Sequence, residues 1–255
     1  MAKIQLEGIT YRYPEGAAPV LTDLSLQVRE GEFLCIVGRS GCGKSTLLRL
    51  LAGLDFPQQG RILLDGKPVT GPGTDRAMVF QHDTLFPWMS ARKNVEFGTR
   101  QARPSLSRQE VRRIAQESLS QVDMLPDGGK YPFQLSGGMQ QRVAIARSLA
   151  MDTEILLLDE PFGALDPKIR RELQELLERL RQGPRPKTVV FVTHDLGEAV
   201  FLADRIAYLE GGAIRRELPV SLPRPRSGLR GGDAAAGKAL RRELLDLFEE
   251  GGEAP

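Results

Sequence analysis

A glycine-rich run that contains a single lysine is the part of this sequence best suited to phosphate chemistry. Residues 38–45 read GRSGCGKS and fit the pattern G-x-x-x-x-G-K-[ST], between an apolar run and a helical segment. The glycines let the backbone curl so that its N–H groups point at a phosphate chain, which the positive end of the next helix also attracts. The predicted phosphate-binding residues are Gly38, Arg39, Ser40, Gly41, Cys42, Gly43, Lys44, Ser45 and Thr46.

Three side chains of this loop have distinct predicted roles. Lys44 would reach the β- and γ-phosphates, the Ser45 hydroxyl would ligate Mg²⁺, and Thr46 could bond the α-phosphate. A phosphate loop alone leaves kinases, GTPases and many ATPases open. The structural alternative is a glycine-rich turn between strand and helix that binds no ligand.

Two carboxylates follow a second apolar run and narrow the chemistry. Ile155–Leu158 ends in Asp159 and Glu160, at the carboxyl end of a predicted buried strand, where ligands bind in open α/β sheets. We expect Asp159 to hold Mg²⁺ through its water shell, and Glu160 to orient and deprotonate an attacking water. Alternatively, the pair only caps the following turn.

A histidine follows the third apolar run, Val189–Val192. His194 would emerge at the same sheet edge, where it could contact the γ-phosphate and the water held by Glu160. A lone histidine is often structural, and Asp195 with Glu198 has the pattern of a capping box for the next helix. The position after this strand favours the catalytic interpretation of His194.

The hexapeptide LSGGMQ at 135–140 predicts a second anion site in the same chain. It opens a helix that runs to Ala150, whose N-terminal amides can bind phosphate together with a serine hydroxyl. Two anion sites favour a head-to-tail pair of copies, in which each ATP lies between the phosphate loop of one copy and the Ser-Gly-Gly of the other. The predicted residues of this second site are Ser136, Gly137, Gly138 and Gln140.

A regular alternation of strands and helices would position these motifs. The three apolar runs, of which the first is Phe33–Val37, are typical of parallel strands that helices cover on both faces. Helical patterns alternate with them: Ser107 and Glu110 form a capping-box pattern, and Asp166 precedes a helical pattern. This alternation indicates an α/β fold.

Composition limits the possible function classes. The 255 residues have a formal net charge of +2 and are 41% hydrophobic, so wholesale disorder and binding to nucleic acid through a large positive field are both disfavoured. No run approaches the ~20 apolar residues of a membrane span, and the first residues lack a secretory apolar core, so we expect the chain to stay in the cytosol. Cys35 and Cys42 are expected to form no disulfide.

With these motifs in this order, the sequence resembles the ATP-binding subunit of an ABC transporter over about Ile4 to Glu217. Gln81 matches the family's Q-loop glutamine, and the resemblance implies that it senses Mg²⁺ and the attacking water. Asp166 in the run Ala164-Leu165-Asp166 matches the D-loop. Tyr13 matches the aromatic residue that stacks on adenine, although Tyr11 competes for that role and either could instead pack in the core.

The run LFPW at 85–88 is similar to subunits of nitrate, sulfonate and taurine type importers. In such systems a short helix of a membrane permease docks near the Q-loop. We expect Phe86, Trp88 and Met89 to anchor this contact, because exposed aromatic residues and methionine mark interfaces. Alternatively, Trp88 packs under its own loop.

The resemblance also implies a domain organisation. A P-loop NTPase core with a parallel sheet flanked by helices and an N-terminal antiparallel β part would occupy residues 1–85 and 154–217. An inserted helical subdomain would occupy 86–153. Residues 218–255 would form a linker and a short C-terminal amphipathic helix.

The favoured function is an ATP-hydrolysing importer subunit that forms a homodimer through its ATP sites and binds Mg²⁺. It would work with a permease and an external substrate-binding protein, on the cytoplasmic face of the membrane, to move a small anion. One alternative is a soluble ABC-type ATPase that acts on nucleic acid or ribosomes. Such proteins typically carry two fused cores or a long coiled coil, whereas here the motifs occur once and the spacing from Gln81 to Ser136 leaves no room for such an arm. Another, an interaction protein with an inactive site, is disfavoured because the motif residues are intact.

Overall fold

The computed structural model of the protein describes residues 2–14, 18–81, 85–163, 165–180, 186–224, 226 and 232–250. The chain divides into two compact units, Met1–Pro72 with Leu177–Pro255, and Gly73–Leu176. Its strands are β1 (Ala2–Tyr11), β2 (Leu21–Arg29), β3 (Phe33–Val37), β4 (Gln59–Leu64), β5 (Lys67–Pro68), β6 (Arg76–Val79), β7 (Ile155–Asp159), β8 (Thr188–Thr193), β9 (Arg205–Glu210) and β10 (Ala213–Pro219). Its helices are α1 (Lys44–Ala52), α2 (Ala91–Ala102), α3 (Arg108–Gln121), α4 (Gly137–Met151), α5 (Pro167–Leu180), α6 (Leu196–Leu202) and α7 (Gly232–Glu250), with a 3₁₀ turn at Pro132–Gln134.

An antiparallel sheet forms the N-terminal part of the first unit. Its strands run in the order β2-β1-β4-β5, and the burial of β2 alternates as expected for a strand with one wet face. At Gly60 of β4 the φ angle is 83°, and a Cβ there would lie 2.3 Å from the carbonyl oxygen of Glu7. The close approach of β1 and β4 therefore requires glycine at this position.

The phosphate loop follows β3, one of four further strands in the first unit. They run in the order β10-β9-β3-β8, with β3 parallel to both of its neighbours. Every residue of β3 and of β8 is buried, which confirms that these apolar runs are strands covered on both faces. Helix α1 packs against β8, and α6 packs against β3 and β8.

The second unit combines two parallel strands with packed helices. Strands β6 and β7 pair with Val79 opposite Leu158, and β7 is buried throughout, as its apolar run predicts. Helix α2 packs on α3 and α4, and α4 also packs on β6. The sequence does not predict β6, because it has only four residues and begins with Arg76.

Capping residues define the helix starts. The Ser107 hydroxyl accepts a hydrogen bond from the Glu110 N–H at 3.3 Å, and the Glu110 carboxylate accepts one from the Ser107 N–H at 2.8 Å, which confirms the predicted capping box. At α6 the Asp195 carboxylate caps the helix. The predicted capping box of Asp195 and Glu198 includes a third residue here. The Thr193 hydroxyl accepts a hydrogen bond from the Asp195 N–H and donates one to the Glu198 carboxylate.

The C-terminal helix α7 is longer than the short helix that the sequence predicts. It has 19 residues and packs on α6. Leu244 is fully buried, whereas Leu245 beside it is exposed. The ring of Phe248 packs against that of Tyr208 in β9, with 5.1 Å between their centroids. Helix α7 is therefore part of the first unit.

We expect Ser107→Ala to lower the free energy of unfolding by about 1 kcal/mol, because the first turn of α3 loses the acceptor for one of its backbone N–H groups. Chemical denaturation monitored by circular dichroism measures the loss. The control is Ser105→Ala, at an exposed position in the preceding turn, which should leave stability unchanged. Equal stability of both variants would contradict the contribution of the cap.

Candidate functional site

The phosphate loop leaves the end of β3 and enters α1 at Lys44. The Lys44 side chain is buried, and its Nζ donates to the carbonyl oxygens of Gly38 at 2.8 Å and Arg39 at 2.9 Å. These bonds hold the ammonium group inside the curve of the loop, where phosphate oxygens can also accept hydrogen bonds from it. The exposed loop residues are Arg39, Ser40, Gly41 and Ser45.

Two glycines make this curve possible. Gly43 has a φ of 107°, in the left-handed region, and a Cβ at this residue would lie 2.7 Å from Cδ2 of Leu21. At Gly38 a Cβ would lie 2.3 Å from the carbonyl oxygen of Leu209 in β9. The loop therefore packs against neighbouring backbone and side chains too closely for any other residue at these positions.

Cys42 is half-buried in the loop, and burial raises the pKa of its thiol, which nearby Lys44 partly opposes. Cys35 in β3 is fully buried, and burial raises its pKa as well. Both thiols are free, so the expectation that they form no disulfide is confirmed.

The two candidate tyrosines for adenine stacking differ in exposure. Tyr11 is 5% exposed and packs in the core, whereas Tyr13 is 39% exposed, and the two rings meet edge to face at 5.1 Å. The Tyr13 hydroxyl lies 3.0 Å from the hydroxyl of Thr46, a buried residue of α1. Of the two rings, Tyr13 is the one beside the phosphate loop with a face available for a base.

His194 leaves the sheet next to the phosphate loop. In the parallel pairing of β3 with β8, Val37 lies opposite Thr193. The next residues along the two strands, Gly38 and His194, therefore emerge side by side at the same edge. The His194 side chain is exposed at the start of the turn into α6, as a group that contacts a ligand requires.

In the second unit, the predicted Q-loop glutamine and the predicted base are in direct contact. Nε2 of Gln81 donates to the Glu160 carboxylate at 3.3 Å, because β6 and β7 are parallel and end at the same level. Asp159 is buried at the end of β7, and Glu160 follows it with a φ of 43°. A non-glycine residue in this conformation costs about 1–3 kcal/mol, and such strain clusters at functional sites.

The signature hexapeptide forms the N-terminal end of α4, as predicted. The Ser136 hydroxyl accepts a hydrogen bond from the Met139 N–H at 3.3 Å and caps the helix. Gly137 is exposed and Gly138 is partly exposed there. The Gln140 amide instead donates to the carbonyl oxygens of residues 132 and 135, at 3.0 and 3.2 Å, so in this structure its side chain braces the preceding loop.

Two further contacts involve the predicted motifs of the second unit. Nε2 of Gln141 in α4 donates to the carbonyl oxygen of Phe80 at 3.3 Å, which links the signature helix to the backbone just before Gln81. Asp166 caps α5 through two backbone N–H groups; Ala164 lies outside the described residues. The sequence places Gln141 next to the signature but provides no signal for its contact.

The side chain of one buried asparagine fixes the backbone of the aromatic loop at residues 86–90. Asn94 is fully buried, accepts a bond from the Phe86 N–H at 2.8 Å and donates to the carbonyl oxygens of Phe86, Met89 and Ser90. The Trp88 side chain is 69% exposed and touches Phe86 at 5.5 Å between centroids. Trp88 is therefore not packed under its own loop. The sequence places Asn94 shortly after the LFPW run, but a lone asparagine near a helix start gives no signal for these contacts.

Comparison with known proteins agrees with this architecture. Residues 21–163 match the family model described as ABC transporter. The nitrate import ATP-binding protein NrtD of Synechococcus elongatus is 45% identical over 246 residues, 94% of this chain and 89% of the relative. The taurine import ATP-binding protein TauB of Chromobacterium violaceum is 44% identical over 257 residues, 98% and 97% of the two chains. The bicarbonate transport ATP-binding protein CmpD of Synechococcus elongatus is 45% identical over 241 residues, 93% and 86%.

A solved structure shares the fold. The ATP-binding cassette MJ0796, determined as a dimer in a post-hydrolysis state bound to ADP and Pi, superposes with a TM-score of 0.79 at 36% identity, over 85% of this chain and 98% of that one. The chain therefore belongs to the ABC transporter family, as an ATP-binding subunit of the class that hydrolyses ATP to power transport. The predicted α/β fold is confirmed, and nothing in these comparisons supports action on nucleic acid.

We expect Gly43→Ala to abolish measurable ATP binding, because the new Cβ meets Leu21 and the backbone must adopt a left-handed conformation. Isothermal titration calorimetry with ATP measures the affinity, and thermal unfolding checks that the variant is folded. The control is Gly129→Ala, where a Cβ meets no atom within 4 Å. A folded Gly43→Ala variant with wild-type affinity would show that the loop does not hold phosphate.

Proposed function

We propose that this protein is the ATP-hydrolysing subunit of an importer for a small anion, and that it works as a head-to-tail homodimer. The observation that carries the proposal is the hydrogen bond from Gln81 to Glu160 at the carboxyl end of a buried strand. This bond holds a carboxylate and an amide together, on an exposed Gln81 and a partly exposed Glu160. The names of the relatives, which are import and transport ATP-binding proteins, support the same function.

ATP binding would use both anion sites. The backbone N–H groups of the phosphate loop and the ammonium of Lys44 would hold the β- and γ-phosphates, with Thr46 at the α-phosphate. Tyr13 would stack on the adenine. Ser136 and the helix start behind it would contact the γ-phosphate bound to the other copy. The dimeric structure of the similar cassette bound to ADP and Pi supports this arrangement.

The residues proposed for Mg²⁺ offer the ligands that this ion prefers. Ser45 presents a hydroxyl at the start of α1, Asp159 a carboxylate at the end of β7, and Gln81 an amide oxygen. A site of this kind keeps several waters and binds phosphate oxygens as well. Among the described residues no group of three or more histidine, cysteine or acidic side chains could hold a metal.

Hydrolysis then depends on the position of one water. The Glu160 carboxylate would orient the water and accept its proton, while Gln81 fixes the carboxylate through the 3.3 Å bond. Lys44, and His194 at the neighbouring strand end, would stabilise charge on the γ-phosphate in the transition state. Phosphoryl transfer requires little covalent chemistry from the protein, so position and charge supply most of the catalysis.

We expect Glu160→Gln to bind ATP but to lower kcat by about 10²- to 10⁴-fold, because the amide cannot accept the proton of water. The variant should accumulate as an ATP-bound dimer. Phosphate release measures kcat, and size-exclusion chromatography with light scattering measures the dimer. The control is Glu175→Gln on α5. Near-normal turnover of Glu160→Gln would refute the proposed base.

The permease contact is assigned to Phe86, Trp88 and Met89. Trp88 projects from a loop that Asn94 fixes through its four hydrogen bonds, and Phe86 lies beneath it. The ring of Phe86 also packs against Phe97 at 4.8 Å. A large exposed aromatic side chain on a fixed base has the properties of an interface anchor.

The names of the relatives support a proposal for the cargo and for the position in the cell. Nitrate, bicarbonate and taurine, which appear in their names, are small and carry an anionic oxygen group, so we propose a cargo of the nitrate, bicarbonate or sulfonate type. An external binding protein would deliver it to the permease. Across the described residues, no helix has the length and apolar character to span a bilayer. We propose that the subunit binds the cytoplasmic face of the membrane through its permease.

We expect the protein to recover a multi-span permease from gently solubilised native membranes, and Trp88→Ala to recover at least ten-fold less because the anchor is lost. Mass spectrometry identifies the partners, and ATPase activity of the isolated variant should stay unchanged. The control is Phe56→Ala, which removes another exposed aromatic residue. Ribosomal or DNA-bound partners without a permease would refute transport; unchanged recovery by Trp88→Ala would refute only this contact.

A further inference from the structure

A buried arginine in the C-terminal segment makes more backbone contacts than its position in a predicted linker suggests. Arg226 is only 2% exposed. Its backbone N–H donates to the carboxylate of Glu178 in α5 at 2.8 Å. Its guanidinium donates to five backbone carbonyl oxygens, which belong to Val200, Phe201, Ala203, Val220 and Leu222 at 2.6 to 3.4 Å. A charge this deeply buried is tolerated because all these partners are acceptors.

Three of these carbonyls belong to the end of α6. The last carbonyls of a helix have no partner within it, and the last turn of α6 has neither a basic residue nor a glycine cap. Arg226 supplies the missing donors and a positive charge at the negative end of the helix dipole. Arg224 adds a bond to the Leu202 carbonyl at 2.6 Å and an ion pair with Asp204. The C-terminal segment therefore caps α6.

The N-terminal end of α6, at Leu196, lies two residues after His194. Asp195 caps the helix, and the Thr193 hydroxyl, at the end of β8, bonds the buried Glu198 carboxylate at 2.7 Å. The helix has seven residues and is thus about 10 Å long. A helix of two turns moves as a rigid body. A displacement of its C-terminal end, which Arg226 caps, therefore also displaces its N-terminal end beside His194.

We propose that Arg226 is a positioning residue for His194: by capping the end of α6 it fixes the helix whose start orients the imidazole at the ATP site. The inference rests on the proposed role of His194 in hydrolysis. The hydrogen bonds of Arg226 join it to α5, to α6 and to the chain after β10. Of these elements α6 is the one that starts beside His194, so the proposed effect passes through α6.

The two histidines of the chain, His82 and His194, allow a direct test. A ¹H–¹³C spectrum of the full-length protein with labelled imidazoles contains two Cε1 signals, and His82→Gln assigns them. We expect Arg226→Met to shift the His194 signal, because the freed end of α6 changes the surroundings of the ring. The matched control is Arg216→Met, at an exposed position in β10, which should leave the signal in place.

Kinetics provide the second readout. Arg226→Met should lower kcat by about ten-fold while the KM for ATP changes little, because a small displacement of a catalytic group costs rate rather than binding. Arg226→Lys should shift the signal and lower kcat less, since an ammonium has three donors at one point and cannot span five carbonyls. If Arg226→Met does not fold, Arg226→Lys replaces it in both the spectral and the kinetic test.

A His194 signal that coincides with that of the unmodified protein in the folded Arg226 variants would overturn the proposal, even if stability or kcat falls. So would a shifted signal with kcat unchanged. Failure of the proposed function is a separate result: an unmodified protein that releases no phosphate from ATP would refute hydrolysis, and normal turnover in Glu160→Gln would refute only the proposed base. The shift of the His194 signal depends on neither result.

Discussion

Buried parallel strands that end at a common level are the constraint on which the proposed site depends. In the first unit β3 and β8 are in register, so the phosphate loop and His194 leave the sheet together. In the second unit β6 and β7 are in register, so Gln81 and Glu160 come within hydrogen-bond distance. Strands covered on both faces cannot slide without exposing apolar side chains, and this fixes where the polar residues emerge.

A backbone conformation with a positive φ follows strand ends of both units, as it does at several other positions of the described chain. Gly43 turns the phosphate loop into α1 with a positive φ that glycine adopts without strain. Glu160 adopts a similar conformation with a full side chain, and the packing of β7 must hold it there. The buried strands thus hold the short loops that follow them, and the residues proposed to act on ATP lie in those loops.

The sequence predicts the elements whose signal is local. Runs of apolar residues predict β3, β7 and β8, and Ser107 with Glu110 predicts the start of α3, because each depends on residues close in the chain. Strand β6 is short and starts with an arginine, so it forms only because β7 is beside it. The contacts of Gln141 and Arg226 join residues far apart in sequence, and no spacing rule indicates them. The roles of the site residues toward ATP remain predictions.

The four hydrogen bonds of Asn94 have a consequence for the proposed permease contact. Because its four bonds go to main-chain atoms of residues 86–90, the shape of this loop does not depend on which side chains stand at its tip. Trp88 could therefore be replaced by another residue without loss of the loop's conformation. A fixed loop also loses little conformational entropy when a partner binds. With the permease contact proposed at Trp88, a change at this single exposed position would alter the partner surface while the ATPase scaffold stays the same.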